Sequence, residues 1–165
     1  MTEIKTDMFA RVRALLEKDN FHIIHEDQSR PWGGFFVLNE HQIEKFIEKY
    51  FSETDASAIR RGSKLSPKIL LVAPGCRLSW QYHHRRAELW TVVEGPVQIA
   101  LSETDVESEV VTRDAGQTIS LKQGQRHRLI GMANWGIVAE IWQHTVEGHP
   151  SDESDIVRVQ DDFGR

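Results

Sequence analysis

Cysteine is nearly absent from this chain of 165 residues, and long apolar runs are missing. The single cysteine is Cys76, so the chain can form neither an internal disulfide nor a zinc site built from cysteines. No apolar stretch approaches the roughly 18 residues that a membrane-spanning helix requires. We therefore expect no membrane association.

Basic residues are also scarce, with 20 Lys and Arg against 25 Asp and Glu and a net charge of −5. Because no Lys/Arg stripe is present, nucleic acid is not expected as a partner. An anionic ligand would need a local cluster of arginines that opposes the overall negative charge. The first 20 residues are charged and have a helical period, unlike a signal peptide, so we expect a cytoplasmic protein.

The length suits one domain over residues 1–165, with two helical segments ahead of a β-rich part. Residues 1–20 and 40–66 carry apolar residues at helical spacing, and the later segment ends in a surface loop from about residue 52. Asn39 followed by Gln42 predicts a capping box. The helical stripes comprise Ile4, Met8, Phe9, Val12, Leu15 and Leu16, then Ile43, Phe46, Ile47, Tyr50 and Phe51.

From Lys68 onward, short strands are separated by glycine turns. Residues 68–145 contain eight of them, which favours a small closed barrel or jelly roll and hence a mostly β fold. A parallel α/β fold is not expected, because no helix-length segments separate the strands. Residues 149–165 form an acidic tail that ends in a weakly strand-like stretch.

The polar residues that could carry chemistry lie between Gly75 and Gly95 and at the start of a later strand. Strand alternation puts Gln81 and His83 on one face, and Glu88 opens the next strand across from that face. His127 begins another strand after a glycine turn. By the same alternation, the opposite face carries Leu78, Trp80 and Tyr82.

Gln81, His83, Glu88 and His127 can converge as four ligands on one divalent metal ion. Two imidazoles with oxygen ligands suit Zn²⁺, Mn²⁺ or Fe²⁺. An ion with an open coordination position would act as a Lewis acid on a bound substrate.

These two segments match the paired cupin motifs G-x5-H-x-H-x3,4-E-x6-G and G-x5-P-x-G-x2-H-x3-N. Gln81 stands for the first histidine, Lys122 for the proline and Gly131 for the final asparagine. The resemblance implies a cupin fold, the double-stranded β-helix or jelly-roll barrel, with two accessory helices. The Gln, His, Glu, His ligand set resembles that of the phosphomannose isomerases.

More narrowly, the chain resembles the cupin domain of type II mannose-6-phosphate isomerases, the C-terminal half of bifunctional mannose-1-phosphate guanylyltransferase/mannose-6-phosphate isomerases. The family's RPWG segment matches residues 30–33, its PGxxLSLQxHHHRAEHWxVVxG core residues 74–95, and its DIVRxxDDYGR ending residues 155–165. Residues 1–20 lie outside this resemblance, and so do residues 40–66, which have the character of an insertion. The departures from the family are Trp80, Arg85, Leu89 and Phe163.

The resemblance implies a metal-dependent isomerase, most specifically one that interconverts mannose 6-phosphate and fructose 6-phosphate in sugar-nucleotide or polysaccharide precursor metabolism. Glu88 and Arg86 would be catalytic, and a metal ion holding two substrate oxygens would stabilise the enediolate. The proton-transfer base stays open between Glu88, Glu140 and a metal-bound hydroxide. No guanylyltransferase activity is expected, because no glycine-rich nucleotide-binding segment is present.

Two alternatives remain open. A non-catalytic cupin could bind a sugar phosphate or nucleotide sugar, and the loss of family histidines at Arg85 and Leu89 favours it. A cupin enzyme of other specificity could isomerise another sugar phosphate or act as an oxygenase.

The phosphorylated substrate would be contacted by Arg86, Lys122 and Arg165. Arg165 would reach it only if the C-terminal tail folds back over the barrel. Five tryptophans and alternating apolar residues on the outer strand face predict a homodimer.

Overall fold

The computed structural model describes residues 3–165, and its regular structure is mainly β-strand. Helix α1 spans Lys5–Lys18 and helix α2 spans Ile43–Tyr50, with short 3-10 turns at Glu40–Gln42 and Ala56–Ala58. No helix of the described residues is long and apolar enough to cross a membrane. The strands are β1 Ile23–Asp27, β2 Gly33–Leu38, β3 Leu65–Val72, β4 Trp80–Tyr82, β5 Arg86–Glu94, β6 Val97–Ser102, β7 Glu109–Arg113, β8 Thr118–Leu121, β9 Arg126–Ile130, β10 Gly136–His144 and β11 Val157–Gln160.

Two antiparallel sheets enclose a common core. The first has six strands in the order β1-β2-β3-β10-β5-β8, and the second has five in the order β11-β4-β9-β6-β7. Apolar side chains from both sheets form one buried cluster, including Leu70, Trp90 and Val138 from the first and Ile99 and Leu129 from the second. This arrangement confirms the predicted cupin jelly roll, and all eight strands predicted between residues 68 and 145 are present.

Strand β10 shows how the first sheet serves two cores. Every residue of β10 is buried, as a continuous apolar strand requires. Val138 points into the barrel, whereas Ile137, Ala139 and Ile141 belong to a second cluster on the outer face of the sheet. Glu140 and Trp142 alternate with that outer set, so they share the inner face with Val138.

The two helices cover the outer face of the six-stranded sheet. Helix α1 buries Met8, Phe9, Val12 and Leu16 there, and α2 buries Phe46 and Ile47. A Cβ at Gly34 would lie 2.6 Å from Phe9 and 2.1 Å from a backbone oxygen of β1, so only glycine fits under α1. The helical predictions are confirmed except at Ile4 and Leu15, which are exposed.

Because the helices cover this face, the homodimer prediction loses the exposed apolar surface on which it was based. The apolar outer face on which the prediction rested is buried under the chain's own helices, and all five tryptophans are buried within the protomer. The homodimer stays a prediction.

Several local predictions need correction. The capping box does not form: the Asn39 side chain accepts a hydrogen bond from the His41 N–H, while the Gln42 amide binds backbone atoms of Asn20 and His22. Strand β4 starts only at Trp80, so alternation does not extend back to Leu78, which packs into the barrel core. The strand-like end of the tail is confirmed as β11, which pairs with β4.

Candidate active site

Three of the four predicted metal ligands form a buried cluster inside the barrel. His83 follows β4, Glu88 lies in β5 and His127 in β9, and their ligand atoms all lie within 4.8 Å of one another. The Nε2 atom of His83 is 3.1 Å from Glu88 Oε1, and that of His127 is 3.6 Å from Glu88 Oε2. All three side chains are about 2% exposed, so the cluster is shielded from bulk water.

Hydrogen bonds fix both imidazoles with the Nε2 atom toward the centre. His83 Nδ1 donates to the backbone oxygen of Asp155 at 2.7 Å, and His127 Nδ1 donates to that of Gln125 at 3.0 Å. Because a carbonyl oxygen can only accept, Nδ1 of each ring carries a proton and Nε2 is directed at the cluster. This is the orientation that a metal-ligating histidine requires.

The cluster fits a divalent ion on a further observation. His127 Nε2 is a buried polar atom with no hydrogen-bond partner within residues 3–165, an arrangement that costs free energy unless a ligand completes it. Burial lowers the pKa of His127 to about 4, so the ring stays neutral and able to ligate at physiological pH. Two imidazoles and a carboxylate match the ligand preferences of Zn²⁺, Mn²⁺ and Fe²⁺.

Gln81, the fourth predicted ligand, lies beside this cluster. It is the cross-strand partner of His127 and lines the same cavity as Glu88. Its amide oxygen accepts a hydrogen bond from Ser79 Oγ at 2.7 Å, which orients the amide. The ligand role of Gln81 stays a prediction.

A segment of the C-terminal tail holds the ligand-bearing turn in place. The carboxylate of buried Asp155 accepts hydrogen bonds from the backbone N–H groups of His84 and Arg85 at 2.9 and 3.0 Å, and from Ser151 Oγ at 2.6 Å. Burial would raise the pKa of Asp155, but these hydrogen bonds outweigh it and lower the pKa to about 2. Sequence reasoning missed this residue, although the matched DIVR ending was the signal that could have found it.

Arg86, predicted to be catalytic, is buried next to the cluster. Its guanidinium donates to Glu88 Oε1 at 2.8 Å and to His83 Nε2 at 3.2 Å, and it stacks on Trp142 at 3.7 Å. A third hydrogen bond goes to Ser151 Oγ at 2.8 Å, which connects the arginine to the tail. The guanidinium of Arg86 therefore places a positive charge beside the point where the ligand atoms converge.

Two buried carboxyl groups near the centre have opposite protonation tendencies. Burial would raise the pKa of Glu88, but its contacts with His83 and Arg86 hold it well below the usual range. Burial and the negative charge of Glu88 raise the pKa of Glu140 well above its usual value. Glu140 accepts hydrogen bonds from the indole N–H groups of Trp90 and Trp142 at 2.7 and 2.9 Å, which fix its position.

Of the four predicted ligands, Gln81 and Glu88 line a cavity whose walls carry more cations than anions. It contains Glu88, Glu140 and Glu153, and its aromatic wall includes Trp32, Phe35, Trp90 and Trp142. Since the overall charge of the chain is negative, this local excess of positive charge favours an anionic ligand. The cations are Arg30, Lys68, Arg86, Arg158 and Arg165.

The structure brings two of the three predicted substrate residues to this cavity. Arg86 and Arg165 line it, and Arg165 reaches it because the tail folds back beside β4. Within the tail, Arg165 Nε donates a hydrogen bond to Asp161 Oδ2 at 2.8 Å. Lys122 does not reach the cavity: it is exposed in the turn between β8 and β9, so its predicted substrate contact is not supported by the fold.

Arg30, Lys68 and Arg158 were not selected from the sequence as site residues. Arg30 and Arg158 fall in the matched RPWG and DIVR segments, which was a usable signal. Lys68 gave no usable signal in the sequence, because a lysine at the start of an apolar strand is typical of a solvated strand end.

The two positions at which this chain lacks a histidine of the family lie away from the cavity. Leu89 points to the outer face of the barrel, where it is fully buried in the helix-covered core. Arg85 lies outside the cavity lining and pairs with the carboxylate of Asp152 at 3.4 Å. His84 is exposed and takes no part in the cluster.

The two-sheet barrel with its inward His–Glu–His cluster defines a cupin. Among solved structures of similar fold are oxalate decarboxylase OxdC of Bacillus subtilis, with a TM-score of 0.57, 11% identity and coverage of 81% of this chain and 30% of that chain. The capsular polysaccharide assembling protein CapF of Staphylococcus aureus gives a TM-score of 0.55 at 14% identity, covering 82% of this chain and 34% of that one.

Within that class, residues 39–161 match the family model described as mannose-6-phosphate isomerase C-terminal, and the chain belongs to this family. The matched range includes residues 40–66, which the motif resemblance did not cover. The family assignment itself, predicted from the motifs, is confirmed.

Curated relatives are longer proteins. The xanthan biosynthesis protein XanB of Xanthomonas campestris is 30% identical over 141 residues, which are 86% of this chain and 24% of the relative. A mannose-1-phosphate guanylyltransferase of Salmonella montevideo is 30% identical over 150 residues, 91% of this chain and 26% of the relative. The chain thus spans about a quarter of the length of these relatives.

Proposed function

We propose that this chain is a metal-dependent aldose–ketose isomerase of a phosphorylated hexose, with mannose 6-phosphate and fructose 6-phosphate as its substrate pair. The observation that carries the proposal is the buried cluster of His83, Glu88 and His127, whose ligand atoms lie within 4.8 Å of one another and whose Glu88 lines a cavity rich in cations. Membership of the mannose-6-phosphate isomerase C-terminal family supports the reaction type.

The positions of the family departures favour catalysis over a purely binding role. Arg85 and Leu89 replace family histidines, and both side chains lie outside the cavity. Their replacement leaves the cluster and the cavity lining intact, so the sequence argument for a non-catalytic cupin loses its basis.

Each part of the site has a distinct task in the proposed reaction. His83, Glu88 and His127, with Gln81 beside them, would hold a divalent ion, which supplies Lewis-acid stabilisation of negative charge on substrate oxygens. The arginines and Lys68 at the cavity bind the phosphate. The buried walls exclude water from a substrate whose α-proton is being transferred.

Isomerisation also needs a group that moves a proton between the two substrate carbons. Glu88 belongs to the ligand cluster, and Glu153 is paired with Lys68 at 2.6 Å. Glu140 is the remaining carboxyl group of the cavity lining, and it is fixed by two indole N–H groups. We therefore assign proton transfer to Glu140.

The experiment is turnover of mannose 6-phosphate by the full chain, loaded with Mn²⁺, Zn²⁺ or Fe²⁺ and followed by NMR. We expect fructose 6-phosphate to form with at least one metal, His127→Ala to lose activity, and His84→Ala to retain it. Saturable binding of mannose 6-phosphate without turnover under all three metals would contradict the isomerase and leave a sugar-phosphate-binding cupin.

A further inference from the structure

Lys68 places a buried positive charge in the wall of the cavity. It lies in β3, its side chain is 5% exposed, and its ammonium lies 4.1 Å from the centre of the Phe35 ring and 4.2 Å from that of Trp142. A buried charge is unfavourable unless an anion pairs with it. Such a lysine in the middle of an apolar strand therefore calls for a specific counter-charge.

The anion that pairs with Lys68 comes from an exposed segment. Glu153 Oε1 accepts a hydrogen bond from Lys68 Nζ at 2.6 Å, and the Glu153 side chain is 56% exposed in the turn between β10 and β11. Glu140, the cross-strand partner of Lys68, directs its carboxyl oxygens to the indoles of Trp90 and Trp142 instead. A half-exposed carboxylate is a weakly held partner that another anion can replace.

The surroundings of Lys68 suit an anion of higher charge than a carboxylate. Arg30, Arg158 and Arg165 line the same cavity, and Arg86 stacks on the Trp142 ring that Lys68 also contacts. A phosphoryl group carries up to two negative charges and three acceptor oxygens, so it can bind several of these cations at once.

We propose that Lys68 anchors a phosphate subsite, and that Glu153 occupies this subsite until the phosphoryl group of the substrate displaces it. The inference rests on the proposed function, because it names the residues by which that site selects phosphorylated over unphosphorylated sugars. Glu153 keeps the buried ammonium paired in the free protein, and its exposure lets it leave without unfolding the barrel.

Calorimetric titration of the full chain with inorganic phosphate tests the subsite without requiring turnover. Lys68→Met removes the charge at nearly constant volume, and we expect it to weaken phosphate binding by on the order of tenfold or more. Glu153→Gln removes the competing charge, and we expect it to tighten phosphate binding by roughly threefold to tenfold. The matched controls are Lys122→Met and Glu147→Gln, which make the same charge changes at exposed positions outside the cavity.

Equal phosphate affinity in Lys68→Met and Lys122→Met would overturn the subsite. A Glu153→Gln variant that binds phosphate no more tightly than Glu147→Gln would overturn the competition. Since Glu153 is exposed, its variant gives a readout even if Lys68→Met folds poorly. Isomerase turnover that survives in Lys68→Met, with unchanged phosphate affinity, would refute this inference while leaving the proposed function in place.

Discussion

At the scale of single residues, two backbone carbonyls decide what the centre can bind. The oxygens of Asp155 and Gln125 accept hydrogen bonds from Nδ1 of His83 and His127, which leaves both Nε2 atoms facing Glu88. Neither carbonyl depends on the side chain of its residue, so the ring orientations are set by the backbone path around the barrel. This orientation is the one that a histidine needs to act as a metal ligand through Nε2.

Glu140→Gln is expected to abolish proton transfer while leaving the ligand cluster intact. Removal of a general acid–base group lowers turnover by roughly 10²–10⁴-fold, and glutamine preserves the acceptor oxygen for one indole. The measurement is turnover of mannose 6-phosphate together with metal content. Glu147→Gln serves as the control. Unchanged turnover in Glu140→Gln would show that another group transfers the proton.

The sequence predicted the residues that strand alternation governs and missed those that depend on distant packing. His83, Glu88 and His127 follow from motif spacing, because alternate residues of a strand share a face. Asp155 lies 70 positions or more along the chain from His84 and Arg85, whose N–H groups it binds, so no local pattern reveals it. Leu78 was assigned to the wrong face because the strand begins later than its apolar pattern suggests.

At the scale of elements, the tail between β10 and β11 is the part that completes the site. Asp155 fixes the turn after β4, Ser151 binds Arg86, and Glu153 binds Lys68. Strand β11 anchors the tail by pairing with β4. The site is therefore shared between the barrel and a segment that follows it in the chain.

Asp155→Asn should destabilise the fold by about 2 kcal/mol at pH 7, given a pKa lowered from 3.8 to about 2 and 1.36 kcal/mol per unit. Because the folded-state pKa is the lower one, this stabilisation is complete above about pH 4 and is lost as the pH falls toward 2. Urea unfolding of both proteins across this range measures the difference. If the difference in the free energy of unfolding between wild type and variant stays constant from pH 5 to about pH 2, the lowered pKa of Asp155 is contradicted. Asp114→Asn, at an exposed turn, is the control.

Helix α1 contributes to stability through the outer core. Phe9 is fully buried, with its ring 5.4 Å from that of Phe36, so Phe9→Ala should cost about 3–5 kcal/mol in the free energy of unfolding. Leu15→Ala, at a residue 47% exposed on the same helix, should cost less than about 0.5 kcal/mol. Urea denaturation separates the two, and equal losses would show that α1 does not dock as described.

At the scale of the whole molecule, one sheet separates two cores with different tasks. The inner core surrounds the ligand cluster, and the outer core holds the helices against the sheet. Sequence patterns predicted both helices and all the barrel strands. The amphipathic stripe of the second helix predicts burial against the outside of a sheet, which the structure confirms. The homodimer prediction used the same outer face without allowing for this covering.

Oligomeric state is a property of this scale, and the homodimer prediction is tested by size exclusion with light scattering. A homodimer would have twice the mass of the 19.0 kDa chain. A species of 19.0 kDa at micromolar concentration would contradict the prediction and agree with the burial of the outer face.

The central claim is that the cluster of His83, Glu88 and His127 binds one divalent ion, and elemental analysis tests it most directly. We expect about one ion of zinc, manganese or iron per chain in protein purified without chelator, with His84→Ala the same and His127→Ala nearly empty. A wild-type protein that carries no stoichiometric divalent ion, and takes up none when each metal is supplied, would show that this cluster is not a metal site.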